Sequence, residues 1–168
     1  MTNVNLIVLS YHRFGEGESD YPFSRTYKQF QHDIGTRDFD WITIDDGSSC
    51  MIKACKMMED KNMRAKLFIS TSLIGQRGYC NWDDVWKLSR KHDIENHSHR
   101  HIRLTDLGSE EEIMDEIKKA QQLIKDKVGR WPRYFVAPWN QYDMRVENSA
   151  FKLGLQLLQN RVNIKNDS

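Results

Sequence analysis

The chain has 168 residues, of which 39% are apolar and 29% charged, and its formal net charge is +1. That is one domain with enough apolar sequence for a core, which argues against disorder. It lacks the basic excess or stripe that marks a nucleic-acid partner.

Taken in order, Val4 to His12 reads as a buried strand ending in polar residues. Gly15 to Pro22 is a loop, and Tyr27 to Ile34 a short helix. Asp40 to Ile44 is a second strand that runs straight into Asp45-Asp46-Gly47-Ser48-Ser49, a turn by composition. A helix follows from Met51 to Lys61, with Ala54, Met57 and Met58 facing inward. Ala65 to Ser70 is a third strand, and Thr71 to Tyr79 a glycine-containing loop. Asn81 to Asp84 opens a helix that turns Val85, Trp86 and Leu88 to the core. Asp93 to Asn96 is a fourth strand. Ser109 and Glu112 form a capping box, and the helix they open keeps Ile113, Ile117, Ala120, Ile124 and Val128 on one stripe until Gly129 stops it. Arg133 to Val136 is a fifth strand, Arg145 to Leu153 a helix stopped by Gly154, and Leu155 to Leu158 a last strand. The tail from Asn163 is polar and expected to fray. With no internal repeat and no linker, residues 1–168 read as a single domain.

Cys50, Cys55 and Cys80 form no Cys-x-x-Cys pair and leave one thiol over under any disulfide scheme, so reduced structural thiols are expected. The apolar run Leu6 to Leu9 is too short for a membrane span or a signal core. As given, the chain reads as cytoplasmic.

Alternating strands and helices predict an α/β fold with a mainly parallel sheet. Four polar clusters then fall at the same ends of successive strands: His12, Asp45-Asp46, His97 to His101, and Pro138-Trp139-Asn140. In parallel barrels and open α/β sheets, the carboxyl ends of the strands form the active face. His97 and His101 are four residues apart, a spacing that lets two imidazoles reach one ion, although it also fits a solvated polar turn. With Asp46 they make three ligands and leave a position open. One carboxylate and two imidazoles suit a divalent metal, zinc first, with cobalt, nickel or iron as alternatives. Asp45, pointing elsewhere, would stay off the metal as a general base; the competing reading of the pair is a helix cap with a second exposed acid.

The sequence resembles the polysaccharide deacetylase family, also called the NodB-homology domain or carbohydrate esterase family 4. The resemblance runs from Leu9-Ser10-Tyr11-His12-Arg13 to about Leu158. Thr43-Ile44-Asp45-Asp46-Gly47 is similar to the family's Thr-Phe-Asp-Asp-Gly motif, and His97-Ser98-His99-Arg100-His101 to its His-Ser/Thr-x-x-His motif. Ala65 to Ile69 resembles the Ala-Thr-Phe-Phe strand, Asn81 to Val85 the Trp-containing segment, and Tyr134 to Asn140 the Phe-x-x-Pro-Tyr/Trp region. The resemblance implies a distorted (β/α) barrel, complete or incomplete, and metal-dependent removal of acetyl groups from N-acetylated or O-acetylated sugars. It implies Asp45 as base, Asp46, His97 and His101 as metal ligands, and Ser98 as a hydroxyl bracing the metal loop. Trp139 would lend its backbone N–H to the oxyanion.

Two departures stand out. The family's third-motif Arg is absent from Val136-Ala137-Pro138, and Arg133 is not its equivalent. The family's terminal His, which protonates the leaving amine, is also absent: no His follows His101. His12 is the candidate substitute; the alternative is a structural His at the site floor. His99 reads as a neighbour of the ligands, and His32 and His92 as surface. Trp82, Trp139 and Tyr142 are candidates to stack on a sugar beside Pro138 and Asn140, while Trp41, Trp86 and Trp131 are expected in the core. The expected partner is an acetylated saccharide, with no nucleic acid and the oligomeric state open. The alternative function is a catalytically weak or inactive carbohydrate-binding module. The family is often exported, which would place the protein in the envelope or outside the cell if a leader has been removed.

Overall fold

A computed structural model of the chain describes residues 7–21, 23–36 and 38–159. The first residues of the expected opening strand (Val4 to Leu6), Pro22 and the tail from Asn163 lie outside them. The strands are β1 (Val8–Tyr11), β2 (Arg13–Gly15), β3 (Ser24–Thr26), β4 (Trp41–Asp46), β5 (Lys66–Ile69), β6 (Asp93–Asn96), β7 (Tyr134–Phe135) and β8 (Gln156–Leu157). The helices are α1 (Tyr27–Thr36), α2 (Met51–Glu59), α3 (Trp82–Leu88), α4 (Glu110–Val128) and α5 (Met144–Lys152), with 3-10 turns at Leu104–Asp106 and Pro138–Asn140.

Six strands pair in the order β1-β4-β5-β6-β7-β8, every pair parallel. Together with the helices they make a curled half-barrel, an incomplete (β/α) barrel. Parallel neighbours need a crossover, and α2, α3, α4 and α5 supply four of them. Strand register fixes which residues meet at the carboxyl edge of the sheet. Asp46 stands opposite Ile69, Ile69 opposite Asn96, and Asn96 opposite Phe135, so one row crosses four strands at their carboxyl ends. The residues that follow this row emerge together.

Strand interiors are near-continuous apolar runs because both faces are covered. Ile42, Ile44, Leu67 and Ile69 join Phe30, Ile34, Met51, Ala54, Met58 and Val85 in one core cluster. A second cluster under α4 and α5 holds Leu104, Ile113, Ile117, Phe135, Val146 and Ala150. Each fully buried large side chain contributes about 1.5–3 kcal/mol. The α4 ends match the sequence: the Ser109 hydroxyl accepts the Glu112 N–H at 3.2 Å, and Gly129 closes the helix at φ 84°.

Several expectations are corrected. β2 and β3 form a second, two-stranded sheet that flanks the expected loop; three-residue strands carry too little alternation to be seen in sequence. Trp86 is 47% exposed and Trp131 53%, rather than core. The two-turn α3 points Val85 and Leu88 inward, so Trp86 faces out beneath the Arg90 guanidinium. Trp131 lies past the Gly129 stop, where Lys125 covers its ring. Trp41 is half-buried and meets Tyr134 edge-on. His92 is fully buried, not surface: its Nδ1 accepts the Ala65 N–H at 3.1 Å and its Nε2 faces Glu59 at 3.4 Å. His32 is exposed, as expected. All three cysteines are free thiols.

Candidate metal centre and active site

The last residue of β4, Asp46, is the first candidate ligand. Asp46 takes φ 72° and Gly47 φ 89°, so the chain reverses sharply. A Cβ on Gly47 would sit 2.7 Å from Ile74 Cδ1, which leaves glycine the only residue that fits without displacement. This turn separates the two acids. Asp46 Oδ1 lies 3.1 Å from His101 Nε2 and 3.5 Å from His97 Nε2. Asp45 Oδ2 instead lies 3.7 Å from His12 Nε2 at the end of β1.

The segment after β6 delivers the imidazoles. His97 Nδ1 donates to the Val136 carbonyl at 2.8 Å, which leaves Nε2 with a lone pair facing Asp46. The loop is braced from several sides. The Ser70 hydroxyl donates to the His97 carbonyl, Asn96 Oδ1 accepts the Ser98 N–H, and Asn96 Nδ2 donates to the Ile117 carbonyl. Glu116, from α4, accepts both the Arg100 N–H at 3.0 Å and its Nε at 2.5 Å. Ser98 braces the loop through its backbone. Its hydroxyl is buried and makes no hydrogen bond among the described residues, contrary to the role implied for it. Ser98 (φ 63°), His101 (φ 58°) and Trp139 (φ 63°) share the left-handed conformation of Asp46, and such strain collects at functional sites.

The donor set fits a metal. One atom each of Asp46, His97 and His101 lies within 4.8 Å of the others. Two ligand atoms on a tetrahedral zinc with bonds of about 2.1 Å are separated by roughly 3.4 Å. Among the described residues, Asp46 Oδ1 and His97 Nε2 are buried and make no hydrogen bond, a costly arrangement unless something between them satisfies both. Burial alone would raise the Asp46 carboxyl pKa, but the contacts from His101 and His97 outweigh it and hold the group well below the usual carboxylate range. His99 is not a ligand; its Nδ1 pairs with the Thr71 hydroxyl at 2.8 Å.

The remaining predicted residues divide between site and packing. Trp139 is 58% exposed, sits 5.7 Å ring-to-ring from His101, and donates from its indole to the His101 carbonyl. Pro138 is buried and Asn140 exposed on the same 3-10 turn. Trp82 is partly buried against the larger core cluster and Tyr142 against the smaller one.

Three site residues were missed in sequence. Arg13 Nη2 comes within 3.9 Å of Asp46 Oδ2, the Tyr21 hydroxyl donates to the same oxygen at 3.4 Å, and the Tyr79 hydroxyl accepts from Arg13 at 3.0 Å. They lie on β2 and two loops, and no spacing links them.

The family model for polysaccharide deacetylases matches residues 35–158. The chain belongs to the polysaccharide deacetylase family. The fold of this deacetylase-family chain is similar to that of IcaB from Ammonifex degensii, with a TM-score of 0.83 at 16% identity over 97% of this chain and 93% of that one. The Streptococcus pyogenes deacetylase PplD, solved in complex with acetate, gives 0.76 at 13% identity, over 89% of this chain and 80% of that one. A family 4 carbohydrate esterase from Streptomyces lividans, also solved with acetate, gives 0.61 at 24% identity, over 70% of this chain and 60% of that one. No curated protein sequence matches the chain. Among the described residues, no helix is long and apolar enough to cross a membrane.

Proposed function

We propose that the protein is a metal-dependent hydrolase that removes acetyl groups from N-acetylated or O-acetylated sugars of a polysaccharide, oligosaccharide or sugar precursor. The observation that carries this reading is the convergence of Asp46 Oδ1, His97 Nε2 and His101 Nε2 on one point, with Asp45 turned away toward His12. Asp46, His97 and His101 would hold the ion, zinc first by donor type. When bound, such an ion acidifies a water and polarises a carbonyl oxygen.

The protein's own groups then divide the proton work. Asp45 takes the proton from the attacking water as general base. His12, 3.7 Å from Asp45, returns a proton to the leaving nitrogen or oxygen. The Trp139 backbone N–H stabilises the charge that develops on the acyl oxygen. The exposed Trp139 ring, with Asn140, offers the sugar a surface beside His101.

Acetate release from N-acetylglucosamine oligomers tests this reading, with Asp45→Asn alongside. Release by the parent chain, lost in the variant while its metal is retained, supports the hydrolase. Sugar binding without acetate release points instead to a carbohydrate-binding module, the reading that Val136-Ala137-Pro138, without the third-motif Arg, favours.

A further inference from the structure

The two oxygens of Asp46 face different neighbours. Oδ1 faces His97 and His101, whereas Oδ2 accepts the Tyr21 hydroxyl at 3.4 Å and lies 3.9 Å from Arg13 Nη2. Arg13 is itself held. Its guanidinium stacks between the rings of Tyr21 and Tyr79, at 5.1 and 5.0 Å, and donates to the Tyr79 hydroxyl at 3.0 Å. Tyr79 is fixed in turn by an isolated bridge to Ser48, in the turn that carries Asp46. The small β2-β3 sheet thus delivers a cation, caged by two aromatic rings, to the outer side of a metal-binding carboxylate.

We infer that Arg13, caged by Tyr21 and Tyr79, is a positioning residue that reserves Asp46 Oδ2 and leaves Oδ1 alone to the metal. The inference rests on the proposed metal site and deepens it. A carboxylate free to rotate offers an ion both oxygens and occupies two positions. Held by a guanidinium and a phenol on one oxygen, it offers one, and the position left over remains for water and the acyl oxygen. Partners of this kind, one shell out from a metal, orient its ligands, and their loss weakens binding by about 10–100-fold. Arg suits the task better than Lys, because its planar fork can stack between rings and donate from both ends.

The test uses two charge-conserving variants, Arg13→Lys and Tyr21→Phe, so that a changed net field does not mask the effect. Each protein is loaded with cobalt, its affinity is measured by competition with a chelator, and its visible absorption is recorded as a report of coordination number. The inference predicts an affinity loss of about tenfold or more in each variant, and a weaker visible band as Asp46 adds its second oxygen. Circular dichroism matching the parent shows that the variants fold. Folded variants with parental affinity and spectrum overturn the inference and leave the metal site standing. A parent chain that takes up no cobalt overturns the site and the inference together.

Discussion

Nε2 of His12 stands 3.7 Å from Oδ2 of Asp45, although 33 residues separate them in the chain. The pairing follows from register: β1 and β4 are hydrogen-bonded neighbours, with Tyr11 opposite Ile44, so the next residue of each strand emerges at the same sheet edge. On the proposed mechanism, an acid and an imidazole beside the Asp46-His97-His101 cluster would supply a base and a proton donor in one place. His12→Gln is expected to slow hydrolysis of an acetamido sugar by about 10²–10⁴-fold. An aryl acetate, whose leaving group needs no proton, should be slowed far less. Equal losses on both substrates would return His12 to a structural role, packed on Phe23.

Gly47→Ala should destabilise the fold and the site together. The new methyl meets Ile74 at 2.7 Å, and φ 89° disfavours any side chain. A cost of about 1–3 kcal/mol is expected, read as a lower urea midpoint with an unchanged slope. A parental midpoint would show that the turn relaxes freely.

Asn96→Leu removes a fully buried amide that accepts the Ser98 N–H and donates to the Ile117 carbonyl. The Ser98 N–H loses its partner, at about 1–3 kcal/mol, while the Ile117 carbonyl, inside α4, keeps its helical bond. Chemical denaturation should show that loss, and metal affinity should fall with it, because Asn96 ties the ligand loop to α4. Stability lost without a change in affinity would separate the loop's anchoring from ligand placement.

His92 gives the stability curve a pH limb away from the active site. Burial lowers its pKa below 6.5, although Glu59 pulls the other way. The unfolded chain therefore takes up this proton at a higher pH than the folded one. The contribution to stability is complete above pH 6.5 and is lost as pH falls through that value toward the folded pKa. Unfolding measured across this window should show the parent losing stability with acid, and His92→Gln losing less. Parallel curves would contradict the assignment.

The Asp46-His97-His101 cluster, the divergent Asp45-Asp46 pair and α4 were legible because each is local. A strand running into Asp45-Asp46-Gly47, two imidazoles four apart and a capping box are short-range patterns whose physics needs no tertiary context. Arg13, Tyr21 and Tyr79 were not legible, because three segments meet only after the small sheet folds over the β4 turn. Trp86, Trp131 and His92 were misplaced for a related reason. Tryptophan is apolar by composition, but the short α3 and the Gly129 stop left two of them outward. His92 follows Arg90-Lys91, which reads as surface, yet its backbone turns it under β5, where the Ala65 N–H needs an acceptor. The Ser98 hydroxyl shows the limit of a motif: the residue type matches, while its backbone does the bracing.

Metal content of the purified chain tests the central claim most directly, measured by elemental analysis beside Asp46→Ala and His101→Ala. The account predicts about one divalent ion per chain in the parent, in line with a single three-ligand site, and its loss in both variants. A parent chain without stoichiometric metal, even after reconstitution with zinc or cobalt, would contradict it.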